Sequence, residues 1–208
     1  FSKNSTKGKF NNYEFSCVLA NPDQCSLGAT SLAFIGTLNL IQRYPELSNK
    51  YKNYLNDNLN FILAMKIAGG GFRATYYLNR EQSEIESDFY NGETLLALSR
   101  YYKYDKLPEI KEIINESFEY FDNYYSKAWN NNFYLWAMAA IKDLNDIEAK
   151  DEYYKFTKDY TDWRIAGFTD RRETSHNMCA YIEGVISAYS VLETKLSNNE
   201  KATLFEEI

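Results

Sequence analysis

Three carboxylates stand at positions suited to acid–base chemistry. Asp88 and Glu93 bracket the opening of one apolar segment, and Glu183 lies inside another. A carboxylate on an otherwise apolar helix requires a compensating partner or access to water. Placed around one cavity, two such groups act as general acid and base, or as acid and nucleophile, on a glycosidic bond, and their separation selects inverting or retaining geometry. Each also has a plainer role. Asn91 can cap a helix so that Glu93 lies near its start and interacts with the helix dipole. Glu183 can form a buried ion pair with Arg171, Arg172 or Arg73.

Around these carboxylates the sequence places groups that bind rather than react. Phe89, Tyr90, Tyr134, Trp136 and Tyr181 fall at or near the beginnings of apolar segments. Their faces can pack on the C–H faces of sugars while tyrosine hydroxyls hydrogen-bond, although filling a core is the more frequent use of such rings. Arg73 and the pair Arg171-Arg172 offer bidentate hydrogen bonds to the carboxylate or sulfate of an acidic sugar. They can equally anchor loops to Asp170, Glu173 or Glu183. His176 can shuttle protons, or simply cap a helix at the surface. It is the single histidine, so multi-histidine metal sites are excluded, and no Cys/His cluster suggests zinc. Neither a metal nor a cofactor is expected. Gly69-Gly70-Gly71 lacks the spacing of a phosphate or dinucleotide loop and reads as a turn. Cys17 and Cys25, on either side of Asn21-Pro22-Asp23, either bridge in an oxidising compartment or remain two buried thiols.

The elements that carry these residues alternate in character. Leu27 to Leu40 is small or apolar on nearly every side, which suits an enclosed helix, and Pro45 ends it. Ser48 to Lys66 follows with apolar residues in 3-4 spacing and Lys, Asn and Asp elsewhere. The alternation returns three times: Tyr90 to Tyr102 with Pro108 to Tyr125, Asn132 to Leu144 with Ile147 to Trp163, and Asn177 to Glu193 with a short helix from Asn198. Apolar helices must be enclosed, and two-faced helices can shield them, so the pattern predicts an inner row lined outside by a second row. This is an all-α chain, an α/α toroid or incomplete (α/α) barrel of about four hairpins. A short β or irregular insertion is expected near 69–78, residues 1–26 form an irregular covering segment with a possible strand at Tyr13 to Leu19, and the whole is one domain over 1–208. Long loops at equivalent ends of the inner helices are where such a ring places a site.

Composition narrows the partners. A chain of 208 residues that is 45% hydrophobic can bury a sizeable core, yet it has no run of 18 apolar residues to span a bilayer. Lys and Arg total 23 against 29 Asp and Glu, a net charge of −6, which argues against nucleic acid and anionic membranes. The chain begins at Phe1 without Met or a signal-peptide pattern, which reads as a processed or trimmed product. An exported location, periplasmic or extracellular, is favoured over the cytoplasm.

Four stretches carry a family resemblance. Leu-Gly-Ala-Thr-Ser-Leu-Ala at Leu27 to Ala33, Gly-Gly-Phe-Arg at Gly70 to Arg73, Tyr-Asn-Gly-Glu-Thr-Leu-Leu-Ala-Leu at Tyr90 to Leu98 and Tyr-Ile-Glu-Gly at Tyr181 to Gly184 resemble α/α-toroid proteins of the six-hairpin glycosidase type. The resemblance covers roughly residues 25 to 195. It implies a carbohydrate or polysaccharide ligand and a hydrolase, epimerase or lyase activity, with a non-catalytic glycan- or protein-binding module as the alternative. Related bacterial proteins open the third inner helix with Asp-His-Trp, where this chain has Tyr134-Leu135-Trp136. Leucine has no proton to exchange and tyrosine normally titrates near pH 10, so the resemblance implies altered or lost chemistry at that position. A full ring needs twelve helices, so an open ring, or one completed by a further domain or subunit, is expected.

Overall fold

The computed structural model describes residues 4–166 and 178–206. Four antiparallel strands, β1 (Ser5–Phe10), β2 (Tyr13–Asn21), β3 (Gln24–Ser26) and β4 (Thr75–Tyr77), form one sheet in that order. The helices are α1 (Leu27–Arg43), α2 (Ser48–Ala64), α3 (Asp88–Asp105), α4 (Pro108–Tyr125), α5 (Asn131–Ile147), α6 (Asp151–Ala166), α7 (Met178–Leu192) and α8 (Asn198–Phe205). Local chemistry sets their ends. Ser26 Oγ accepts the Ala29 N–H at 3.2 Å to start α1, Asn130 Oδ1 accepts the Phe133 N–H at 3.0 Å to start α5, and Pro108 occupies the first turn of α4.

The expected alternation of inner and outer helices is present. In the inner row α3 lies between α1 and α5, and α5 between α3 and α7. Glycines set the spacing of this row. A Cβ on Gly92 of α3 would stand 2.9 Å from the Trp136 Cβ and 3.1 Å from the Phe133 carbonyl oxygen of α5. One on Gly184 of α7 would stand 3.1 Å from the Leu135 carbonyl oxygen. N-terminal halves therefore meet N-terminal halves, and the inner helices run parallel. The outer helices close the back through rings: Phe118 of α4 meets Tyr153 and Phe156 of α6 edge-on, with centroids 4.9 and 5.5 Å apart.

Two expectations are corrected. Helix α1 is not enclosed on every side, because Leu32 is 40% exposed and the space beside Gly36 is open. The space beside Gly36 is a cavity of about 310 Å³ walled by Tyr51 and Tyr54 of α2. The N-terminal segment is not irregular either. It forms three strands, of which β2 realises the strand expected at Tyr13 to Leu19 and lies over α2, where Phe15 meets Phe61 edge-on at 5.1 Å and Ser16 Oγ donates to Asp57 at 2.9 Å. Pairing of β3 with β4, Gln24 opposite Tyr77 and Ser26 opposite Thr75, ties the long α2–α3 connection to this sheet.

Of the two states left open for Cys17 and Cys25, the structure has the disulfide, which joins β2 to β3. Closing a short loop in the unfolded chain stabilises the fold by roughly 2 kcal/mol. A Cys17→Ala variant, or the reduced protein, should therefore melt about 4–8 °C lower; unchanged melting under reducing conditions would show that the bond contributes nothing. The third cysteine, Cys179, is free and exposed.

Candidate functional site

The described candidates do not form a single cluster. Glu93 sits one turn inside α3, on the side that faces α1. It is 6% exposed, and Oε2 is buried with no hydrogen-bond partner. Burial disfavours the ionised form and pushes its pKa up to about 7. The sequence places it here by spacing: Tyr90 and Glu93 lie three apart on one face of α3, against Gly28 in the first turn of α1. A Cβ on Gly28 would overlap both the Glu93 carboxylate oxygen and the Tyr90 ring. The first glycine of the Leu-Gly-Ala-Thr motif thus makes room for a carboxyl on the neighbouring helix. On the other side of α3, Trp136 packs its Cβ against Gly92, and its indole Nε1 is likewise buried without a partner.

Asp88 opens α3 and belongs to a second cluster at the rim. Its Oδ1 accepts a hydrogen bond from the Tyr125 hydroxyl at 2.9 Å. Glu86 accepts from the Tyr120 hydroxyl at 2.7 Å and from Asn91 Nδ2 at 2.7 Å. Burial beside these carboxylates raises the pKa of both tyrosines, so each stays a proton donor. A cavity of about 510 Å³ opens here, lined by Glu84, Glu86, Asp88, Asn91, Tyr124 and Asn132. The sequence singled out Asp88. It offered Asn91 as a helix cap, a position that Ser87 holds instead, and it gave no sign of Glu86, because the loop carrying Glu86 is positioned by contacts outside it, including Ala74 N–H to the Ile85 carbonyl at 2.8 Å.

Glu183 is elsewhere. Its partner is Arg100 of α3, Nη2 to Oε1 at 3.0 Å, and its side chain is 49% exposed. Its described pair is thus a solvated one, and of the anticipated partners Arg73 is held by Glu84 while Arg171 and Arg172 lie outside the described residues. Arg100 also approaches Asp143 at 3.4 Å, and Lys103 bonds Asp143 at 3.0 Å and Asp146 at 2.8 Å. This ion network ties α3, α5 and α7 together. Of the two expected carboxylates, Glu183 is thus ion-paired to α3, whereas Glu93 makes no ion pair among the described residues.

The remaining candidates resolve individually. Arg73 is spent on its own loop: Nη2 bonds Glu84 at 2.6 Å, Nη1 bonds the Lys66 carbonyl at 3.0 Å, and the guanidinium lies 5.3 Å from the centre of the Phe10 ring. Tyr134 is a core ring rather than a surface one. It is 0% exposed, meets Tyr160 of α6 edge-on at 5.2 Å, and has its hydroxyl 3.3 Å from Thr161 Oγ1. The outer helix α6 covers it, which one strand of sequence cannot reveal. Tyr90 is half-buried at the rim of the same region as Glu93. Arg171, Arg172 and His176 lie outside the described residues, as does the side chain of Tyr181. Among the described residues no group of three His, Cys, Asp or Glu side chains is arranged to hold a metal ion.

The sequence matches no protein-family model and no curated protein. The backbone is similar to cellobiose 2-epimerase from Spirochaeta thermophila, with a TM-score of 0.66 and 13% identity, over 89% of this chain and 59% of that one. It is also similar to a family 76 glycoside hydrolase from a bovine Bacteroides thetaiotaomicron strain, with a TM-score of 0.59 and 11% identity, over 86% of this chain and 45% of that one. The chain thus spans between about half and three-fifths of the length of these two structures. Parallel inner helices, each backed by its successor, together with these two likenesses, identify the fold of the described residues as four hairpins of an α/α toroid.

Proposed function

We propose that the protein handles glycans at the N-terminal end of its inner helices and that Glu93 is the carboxyl through which protons move there. The observation that carries this reading is the Glu93 carboxyl itself: buried, unpaired and with a pKa of about 7. A group that is half protonated near neutral pH gives and takes protons with little driving-force penalty, which is what a general acid or base requires. Tyr90 on α3 and Trp136 on α5 offer rings of the kind that suits a sugar. Similar toroids include a cellobiose 2-epimerase and a glycoside hydrolase, which supports a carbohydrate ligand through fold analogy. The Cys17–Cys25 disulfide suits an exported protein. Among the described residues no helix is long and apolar enough to cross a membrane.

A second reading, a glycan-binding module without turnover, has its own support. Tyr134 and Leu135, which stand where relatives carry Asp-His, are 0% and 2% exposed, and Glu183 is committed to Arg100. A panel of oligosaccharides tested for thermal stabilisation and then for conversion separates the two. Stabilisation with product formation that Glu93→Gln lowers at least about a hundredfold supports the catalytic reading. Stabilisation without product supports the binding module. No stabilisation by any sugar overturns both.

A further inference from the structure

Helix α3, which carries Glu93, has no side-chain cap of its own. Ser87 holds the N-cap position without a side-chain hydrogen bond to the helix, so the first turn lacks the local anchor that Ser26 gives α1 and Asn130 gives α5. A residue ahead of the helix supplies an anchor instead. Glu86 accepts from Asn91 Nδ2 through one carboxylate oxygen and from the Tyr120 hydroxyl of α4 through the other, both at 2.7 Å. Asn91 is 2% exposed and stands two residues ahead of Glu93 in the same turn. One carboxylate thus joins α3 to α4 at the turn that carries Glu93, through two charge-assisted hydrogen bonds.

Glycines seat that carboxylate. A Cβ on Gly71 would overlap the Glu86 carboxylate, and one on Gly70 would stand 2.7 Å from both the Glu116 carbonyl oxygen and the Tyr120 Cβ of α4. Gly70 also has a φ of +116°, which L side chains rarely adopt. The Gly70-Gly71 pair therefore lets its loop lie against α4 while leaving the space that Glu86 fills. At the far side of the same turn, the Glu93 carboxyl faces a notch on α1 that exists only because Gly28 has no side chain. So close a fit is lost if the first turn of α3 shifts, and water then reaches the carboxyl. We infer that Glu86, seated by Gly70 and Gly71, is a positioning residue that holds the Glu93 carboxyl in its notch against α1. This rests on the reading of Glu93 as the group that moves protons, and it names what keeps that group enclosed.

The test is melting temperature against pH for pairs of proteins that differ only by Glu93→Gln. The pH-dependent difference within a pair is what Glu93 contributes, whereas a merely structural loss lowers both members alike and cancels. Glu86→Ala deletes both hydrogen bonds and should shrink the Glu93 contribution by about half or more, because a hydrated carboxyl titrates closer to its ordinary range. Glu86→Gln should preserve it, since its oxygen accepts from Tyr120 and its amide donates to Asn91 once that amide turns over. An unchanged contribution in Glu86→Ala overturns the inference. Equal shrinkage in Glu86→Ala and Glu86→Gln also overturns it, because the charge of Glu86 and not its hold on α3 would then be at work. If Glu86→Ala does not fold, Gly71→Ala, which crowds the carboxylate in its seat, takes its place with the same two outcomes. A wild-type pair with no Glu93 contribution at all overturns the acid–base reading itself, whereas the other adverse results leave that reading standing.

Discussion

Glu93→Gln should remove a loss of stability that the wild-type protein suffers as pH rises. In the unfolded chain this carboxyl ionises near 4.5, whereas in the fold it keeps its proton to about 7. Below the lower value both states are protonated and the residue has no effect on stability. Between the two values the unfolded state has released the proton and the folded state has not, so unfolding is favoured more with each step in pH. At about 1.4 kcal/mol per unit, the loss accumulates to about 3 kcal/mol by neutral pH and stays constant above it. Glutamine has the same shape and does not titrate. The difference in melting temperature, variant minus wild type, should therefore grow by about 6–12 °C between mildly acid and mildly alkaline solution. Asp122, also raised by burial, contributes with the same sign to both proteins and cancels in that difference. Parallel pH curves would mean that the carboxyl is solvated or paired after all, and the acid–base role would go with it.

The second large effect belongs to Gly28. A side chain there enters the space held by the Glu93 carboxyl and the Tyr90 ring. Alanine brings back up to about 1 kcal/mol of helix propensity, which partly masks the clash. Valine does not, and Gly28→Val should cost about 3 kcal/mol through overpacking. Since Glu93 is part of the obstruction, shortening it to alanine should relieve the defect. A double-mutant cycle of Gly28→Val with Glu93→Ala should show a favourable coupling of about 1 kcal/mol or more. Strict additivity would place the two residues apart. The same cycle reads out the site, because a displaced Glu93 reaches water and its pH-dependent penalty shrinks.

The sequence by itself determined the helical hairpins. A segment such as Leu95 to Ser99, buried at every position, differs in composition from one such as Pro108 to Tyr125, which buries a single face at Ile110, Ile114, Phe118 and Phe121. That contrast is local and periodic, so the inner and outer rows are legible without coordinates. Glycines at the inner-helix starts were legible as a motif, although their use in bringing helices together was not. The strands were less legible. β1 alternates Lys7, Gly8 and Lys9, with little apolar signal, and β3 is only three residues long and pairs with a segment some fifty residues away.

Tertiary structure alone decided which carboxylate stands unpaired. Glu93 and Glu183 look alike in sequence, each a single acid in an apolar helix. One faces a glycine notch on α1 and makes no ion pair among the described residues, while the other meets Arg100 from a helix more than eighty residues earlier. Tyr134 and Tyr90 are likewise both tyrosines at helix starts, separated only by whether an outer helix covers them. Periodicity tells a residue which side it faces; the partner waiting there, and hence its charge state, is set by chain segments that the spacing of neighbours does not encode.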